Sequence, residues 1–108
     1  MEPHDAWADD LRLAEAVERL EATLDISVQR LERTWGGLRT FAPDGLPVVG
    51  FDPEAEGFFW LAGQGGYGIQ TSPALSRVAA ALVAGGGIPD DIAAEGIDAQ
   101  AISPSRFR

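Results

Sequence analysis

The stretch Gly63-Gln64-Gly65-Gly66-Tyr67-Gly68-Ile69-Gln70-Thr71-Ser72-Pro73-Ala74-Leu75 constrains this chain more than any other. Four glycines among the six residues Gly63 to Gly68 permit positive φ and let a ligand or another backbone come close to the main chain. A helix is predicted to follow, with Ser72 as N-cap and Pro73 as its first residue. Leu75, Val78, Ala79, Leu82 and Val83 then form an apolar stripe at helical spacing, and Gly85-Gly86-Gly87 ends it. Loop amides and the positive end of a helix would converge on one place, which suits an anion or a polarised carbonyl oxygen. Three readings are open: a structural turn, a phosphate cradle, or a site where amides touch a flat cofactor. The stretch has neither the G-x-G-x-x-G spacing after a first strand nor the Gly-Lys-Ser/Thr of a P-loop.

A chain of 108 residues is one domain at most, and 45% hydrophobic content supports a modest core. No cysteine is present, which excludes disulfides, thiolate metal sites and a cysteine nucleophile and is compatible with a cytoplasmic address. No apolar run approaches the roughly 20 residues of a membrane span. The acidic opening Met1-Glu2-Pro3-His4-Asp5 is not a signal peptide. A formal net charge of -9, with all eight basic residues Arg, argues against nucleic acid and anionic lipid as partners.

Residues 8 to 24 are predicted to form an amphipathic helix, with Leu13, Ala16, Val17, Leu20 and Leu24 on one face and a Glu15–Arg19 pair on the other. Its acids read as a solvated face rather than a metal site, and His4 as a surface residue. Between Asp25 and Phe41 the apolar period suggests strands, broken at Gly36-Gly37 by a bulge or close approach. Ala42-Pro43-Asp44-Gly45 is a turn, Leu46 to Phe51 a short strand, Asp52 to Gly57 a turn, and Phe58 to Ala62 an apolar strand entering the glycine stretch. The tail from Ile88 is expected to be ordered, with one short helix. The fold class is α+β: an antiparallel sheet with an N-terminal amphipathic helix and a C-terminal helix after the glycine loop.

Two side chains stand out. Arg39 either faces solvent or holds a small carboxylate by paired hydrogen bonds beside aromatic walls. Tyr67 either lids a pocket, donates its hydroxyl or packs. One remote His rules out a Ser-His-Asp arrangement.

The series Trp35-Gly36-Gly37-Leu38-Arg39-Thr40-Phe41, Asp44-Gly45, Pro47-Val48-Val49-Gly50 and Gly57 through Ala74 resembles the C-terminal part of FAD-dependent oxidoreductases of the D-amino-acid oxidase superfamily. The likeness is greatest to D-arginine dehydrogenase-like and glycine oxidase-like members, and runs from Glu2-Pro3 to Ile102-Ser103-Pro104. The G-x-G-x-x-G unit that holds the FAD pyrophosphate in such proteins is not among these residues. The resemblance therefore implies that residues 1–108 are the C-terminal segment of such a domain, inactive alone. It further implies that Arg39 binds a substrate carboxylate and Tyr67 contacts substrate. Gly37, Gly65, Gly66, Tyr67, Gly68, Ile69, Gln70 and Thr71 become FAD-contacting positions. In the complete enzyme a D-amino acid or amine would pass a hydride to the flavin, and amides at its pyrimidine edge would stabilise the charge that develops there. The implied partner is an FAD-binding chain completing a split enzyme. A non-catalytic acidic module, self-associating through Phe58, Phe59 and Trp60, is the rival reading, and exposed strand edges make a homodimer the expected alternative to marginal stability.

Overall fold

A computed structural model describes residues 5–108, and the expectation for His4 lies outside them. The chain divides into two compact units, ending and beginning at Leu38 and Arg39.

In the first unit, helix α1 spans Asp10–Thr23. Asp9 caps it by accepting the Arg12 N–H at 3.0 Å, and Asp10 sits in the first turn, where the helix end favours an acid. Glu15 pairs with Arg12 at 3.1 Å, one turn back, rather than with Arg19 as the spacing suggested. No residue of α1 is buried: Leu13 and Val17 are half-buried, while Ala16, Leu20 and Leu24 are exposed. The strands expected between Asp25 and Phe41 do not form; the stretch carries no regular structure up to Phe41, which makes an isolated antiparallel bridge to Gln64. An apolar alternation becomes a strand only when a neighbour takes up its N–H and C=O groups, and no backbone ladder forms along this stretch among the described residues. The close approach expected at Gly36-Gly37 is found at Gly36, where a β-carbon would lie 2.6 Å from the Trp7 carbonyl oxygen.

The second unit holds the sheet. Strands β1 (Val48–Phe51) and β2 (Phe59–Ala62) pair antiparallel, with Val48 opposite Ala62 and Phe51 opposite Phe59. The connection is tied by Asp52, whose carboxylate accepts the Glu54 and Ala55 N–H groups and the Trp60 indole N–H at 2.8 to 2.9 Å. The Ala42–Gly45 turn closes as predicted, with Gly45 N–H donating to the Ala42 carbonyl at 2.9 Å.

Helix α2 spans Gly68–Val83 and lays Val78 and Ala79 on Val49 of β1. Leu75 and Leu82 pack beside them, whereas Val83, expected in the same stripe, is exposed. Gly86 N–H to the Ala81 carbonyl and Gly85 N–H to the Leu82 carbonyl close the helix end in a Schellman arrangement. The tail forms three short helical pieces rather than one: α3 (Asp90–Ala93), α4 (Ala99–Ile102) and the 3₁₀ turn η1 (Pro104–Phe107). They are not merely trailing, because Ile92 and Ile102 complete the core. Gly50 has φ 148°, and a β-carbon there would press on Pro104 at 3.1 Å, so η1 seats on β1 only because position 50 lacks a side chain.

Apolar β2 is less buried than its composition suggested. Phe59 turns inward and meets Phe51 edge-on at 5.0 Å, but Trp60 and Leu61 are exposed, as is Phe58. Of the three aromatics proposed to drive self-association, Phe59 therefore belongs to the packing of this unit.

Candidate functional site

The helix after the glycine loop starts five residues earlier than its capping signals imply. Ser72 is not the N-cap and Pro73 is not the first residue; both lie inside α2, whose N-cap is Tyr67. A proline inside a helix leaves the carbonyl four residues back without its donor, here that of Ile69. The Ser72 hydroxyl supplies the missing bond, donating to the Ile69 carbonyl at 2.9 Å. The Ser-Pro pair thus continues the helix instead of opening it. Its positive end moves into the glycine loop, and Gly68, Ile69 and Gln70 become its first three residues.

The loop amides divide into two groups. Gly65 N–H donates to the Thr40 carbonyl at 3.0 Å and Tyr67 N–H to the Gln64 carbonyl at 3.1 Å, so these two hold the loop together. The N–H groups of Gly66, Gly68, Ile69 and Gln70 have no acceptor among the described residues, and α2 has no side-chain cap and no acid in its first turn. The Thr71 N–H and hydroxyl both turn back onto the Tyr67 carbonyl, at 3.0 and 2.7 Å. Thr71 thus has no donor left for a ligand.

Arg39 reaches this loop. A β-carbon built on Gly66 would stand 3.1 Å from its Nη1, so the guanidinium lies along the open backbone of residue 66. No carboxylate pairs with it among the described residues. Tyr67 and Ile69, on either side of Gly68, are exposed, Ile69 at 93%. The structure brings Arg39, Gly65, Gly66, Tyr67, Gly68, Ile69 and Gln70 into one neighbourhood, while Gly37 belongs to the other unit. Four N–H donors without acceptors among the described residues, a helix's positive end and a guanidinium without a carboxylate partner suit an electron-rich group with oxygen acceptors.

The family that matches residues 2–82 is described as FAD dependent oxidoreductase. The chain belongs to this FAD-dependent oxidoreductase family. It is also 41% identical over 63 residues to the hydrogen cyanide synthase subunit HcnC of Pseudomonas aeruginosa, a stretch covering 58% of this chain and 15% of that subunit. The oxidoreductase segment therefore spans a small fraction of the length of the curated relative it matches. Its residues at the glycine loop fit one edge of FAD. No helix among its described residues is long and apolar enough to cross a membrane.

Three further residues near the loop or along its approach were not singled out as site candidates by the sequence. Phe41 covers Gly65 so closely that a β-carbon there would be 2.7 Å from its ring. Asp44 and Arg106, 62 positions apart, form a forked ion pair at 2.7 and 3.0 Å. The Arg106 hydrogen bonds, joined by the Leu46 N–H, hold the Asp44 carboxyl at about 2 against a usual 3.8, although desolvation pushes the other way. Asp52 is lowered chiefly by the Trp60 N–H, and Asp91 chiefly by its bonds from Arg77. All three folded values lie below the unfolded ones. For Asp44 the stabilising effect is present above pH 3.8 and is lost as pH falls towards 2, and Asp52 and Asp91 act in the same direction. Urea unfolding across that window is expected to show stability of residues 39–108 declining with acid. Asp44→Asn is expected to lower stability at neutral pH and flatten that decline; an unchanged slope would remove Asp44 from the account.

Proposed function

We propose that this chain is the C-terminal segment of an FAD-dependent D-amino-acid or amine dehydrogenase or oxidase. It would supply the carboxylate-binding Arg39 and the loop facing the flavin ring to a site completed by an FAD-binding chain. The observation that carries the reading is Arg39 Nη1 lying along Gly66, next to first-turn amides that have no other acceptor. When bound, FAD accepts the hydride from the carbon bearing the amine. The chain's own work is positional and electrostatic. The Arg39 fork would bind a substrate carboxylate by two parallel hydrogen bonds and fix which hydrogen faces the cofactor. The free N–H groups of Gly66, Gly68, Ile69 and Gln70 would stabilise negative charge at the pyrimidine edge, already oriented before it develops. Tyr67 and Ile69, exposed in this chain, would exclude water once the complementary chain closes over them.

A relative named as a subunit favours the presence of a partner chain. The rival is an acidic module without catalysis that forms a homodimer through Phe58 and Trp60, both exposed here.

The test is reconstitution. The chain alone is expected to leave FAD fluorescence unchanged. Mixed with the chain that carries the G-x-G-x-x-G unit, it should yield a complex that retains flavin through gel filtration and is reduced by a D-amino acid without oxygen. Arg39→Met in that complex is expected to weaken binding of a small carboxylate on the order of a hundredfold, with flavin content preserved. Equal carboxylate affinity in the variant would withdraw Arg39 from the site. A dimer by light scattering that never takes up flavin in the mixture would favour the module.

A further inference from the structure

We infer that Arg106 is a positioning residue for the Arg39 and glycine-loop site, acting through Asp44. The segment Thr40–Pro43 runs as a strap from Arg39 to the Asp44 turn. At one end it holds the loop: Thr40 accepts the Gly65 N–H, Phe41 bridges to Gln64, and the Phe41 ring covers Gly65. Behind it lies a groove of about 330 Å³, walled by Thr40, Phe41, Trp60, Pro104 and Phe107. None of the strap's side chains belongs to the core cluster. Within the strap Ala42 is half-buried against Gly63, and the remaining hold on its position comes from its two ends.

The far end is fixed by one side chain. Arg106 donates from Nε and Nη2 to the two Asp44 oxygens at 2.7 and 3.0 Å, from Nη2 to the Leu46 carbonyl at 3.0 Å, and from Nη1 to the Ser103 carbonyl at 3.0 Å. Only 13% of its side chain is exposed, and it lies over the Phe107 ring at 4.2 Å. A rigid fork satisfied on both edges holds a turn in place as a lysine's single ammonium does not. Position 106 falls outside the matched family region, residues 2–82, yet it anchors the segment that carries Arg39.

The importance of this anchor rests on the function proposed above, but its test does not. Amide hydrogen exchange is measured by NMR on the full chain and on Arg106→Gln. The Gly65 amide, donor to Thr40, is expected to exchange at least about tenfold faster, while Val78 and Ala79 in α2 accelerate only as far as the loss of global stability carries them, about threefold or less. Asp44→Asn, a milder change that serves if Arg106→Gln does not fold, is expected to act likewise. The double variant should exchange no faster at Gly65 than either single one. Arg106→Lys should fall between wild type and Arg106→Gln. Equal acceleration at Gly65 and Val78 would make Arg106 an ordinary stability residue and overturn the inference, as would an unmoved Gly65. A loosened loop with full flavin uptake in the reconstituted complex would instead overturn the site assignment and leave the positioning role standing.

Discussion

Ending the chain after Asp98 is expected to abolish cooperative folding of the unit that begins at Arg39. The removed residues look dispensable by family match, since the match stops at residue 82. Their packing says otherwise. Ile102 is 7% exposed and is one of the five buried residues of the core. Truncating a buried Ile to Ala alone costs about 2–5 kcal/mol. A single small core rarely supplies more than about 3–5 kcal/mol, so that one loss is comparable with the whole. The truncation also takes away Pro104 from Gly50 and Arg106 from Asp44. Circular dichroism and urea unfolding would check it: the shortened chain is expected to lose its sigmoidal transition, and Ile102→Ala to shift the midpoint strongly. A truncated chain that unfolds with the wild-type midpoint would show that α4 and η1 are appendages.

Gly65→Val is expected to disorganise the loop while leaving the core folded. Gly65 has φ 55°, where a branched side chain is strained by about 1–3 kcal/mol. Its β-carbon would also sit 2.7 Å from the Phe41 ring. The strain and the clash separate experimentally. In Gly65→Ala the milder strain and the clash act together, and adding Phe41→Ala removes only the clash. The double variant is expected to recover part, not all, of the lost Gly65 amide protection. Phe41 is 60% exposed, so its own removal should cost little global stability. Flavin uptake in the reconstituted complex should follow the same order: wild type, double variant, Gly65→Ala, Gly65→Val. If Gly65→Ala protects its amide as well as wild type does, the tight seat of Phe41 is unimportant.

Much of the fold was readable locally. The Pro43-Asp44-Gly45 turn, the hairpin across Asp52 to Gly57 and the stripe Leu75, Val78, Ala79 and Leu82 each depend on neighbours within a few positions. The misplaced start of α2 came from a conflict of local signals. Ser-Pro is a good opening pair, but the Ser72 hydroxyl also repairs the carbonyl that Pro73 strands, and nothing in the pair itself chooses between the two. The strands expected from Asp25 to Phe41 failed because an alternating pattern describes only half of a ladder.

The residues alone determined the α+β character and the kinship with FAD-dependent oxidoreductases. Tertiary structure decided which amides remain free, that Phe41 seals Gly65, and that Arg106 reaches back 62 positions to Asp44. The reason is one of range. Turns, caps and helical stripes are fixed by backbone sterics over a few residues, and so are written in adjacent letters. Which distant carboxylate an arginine meets depends on how the core has already closed the chain.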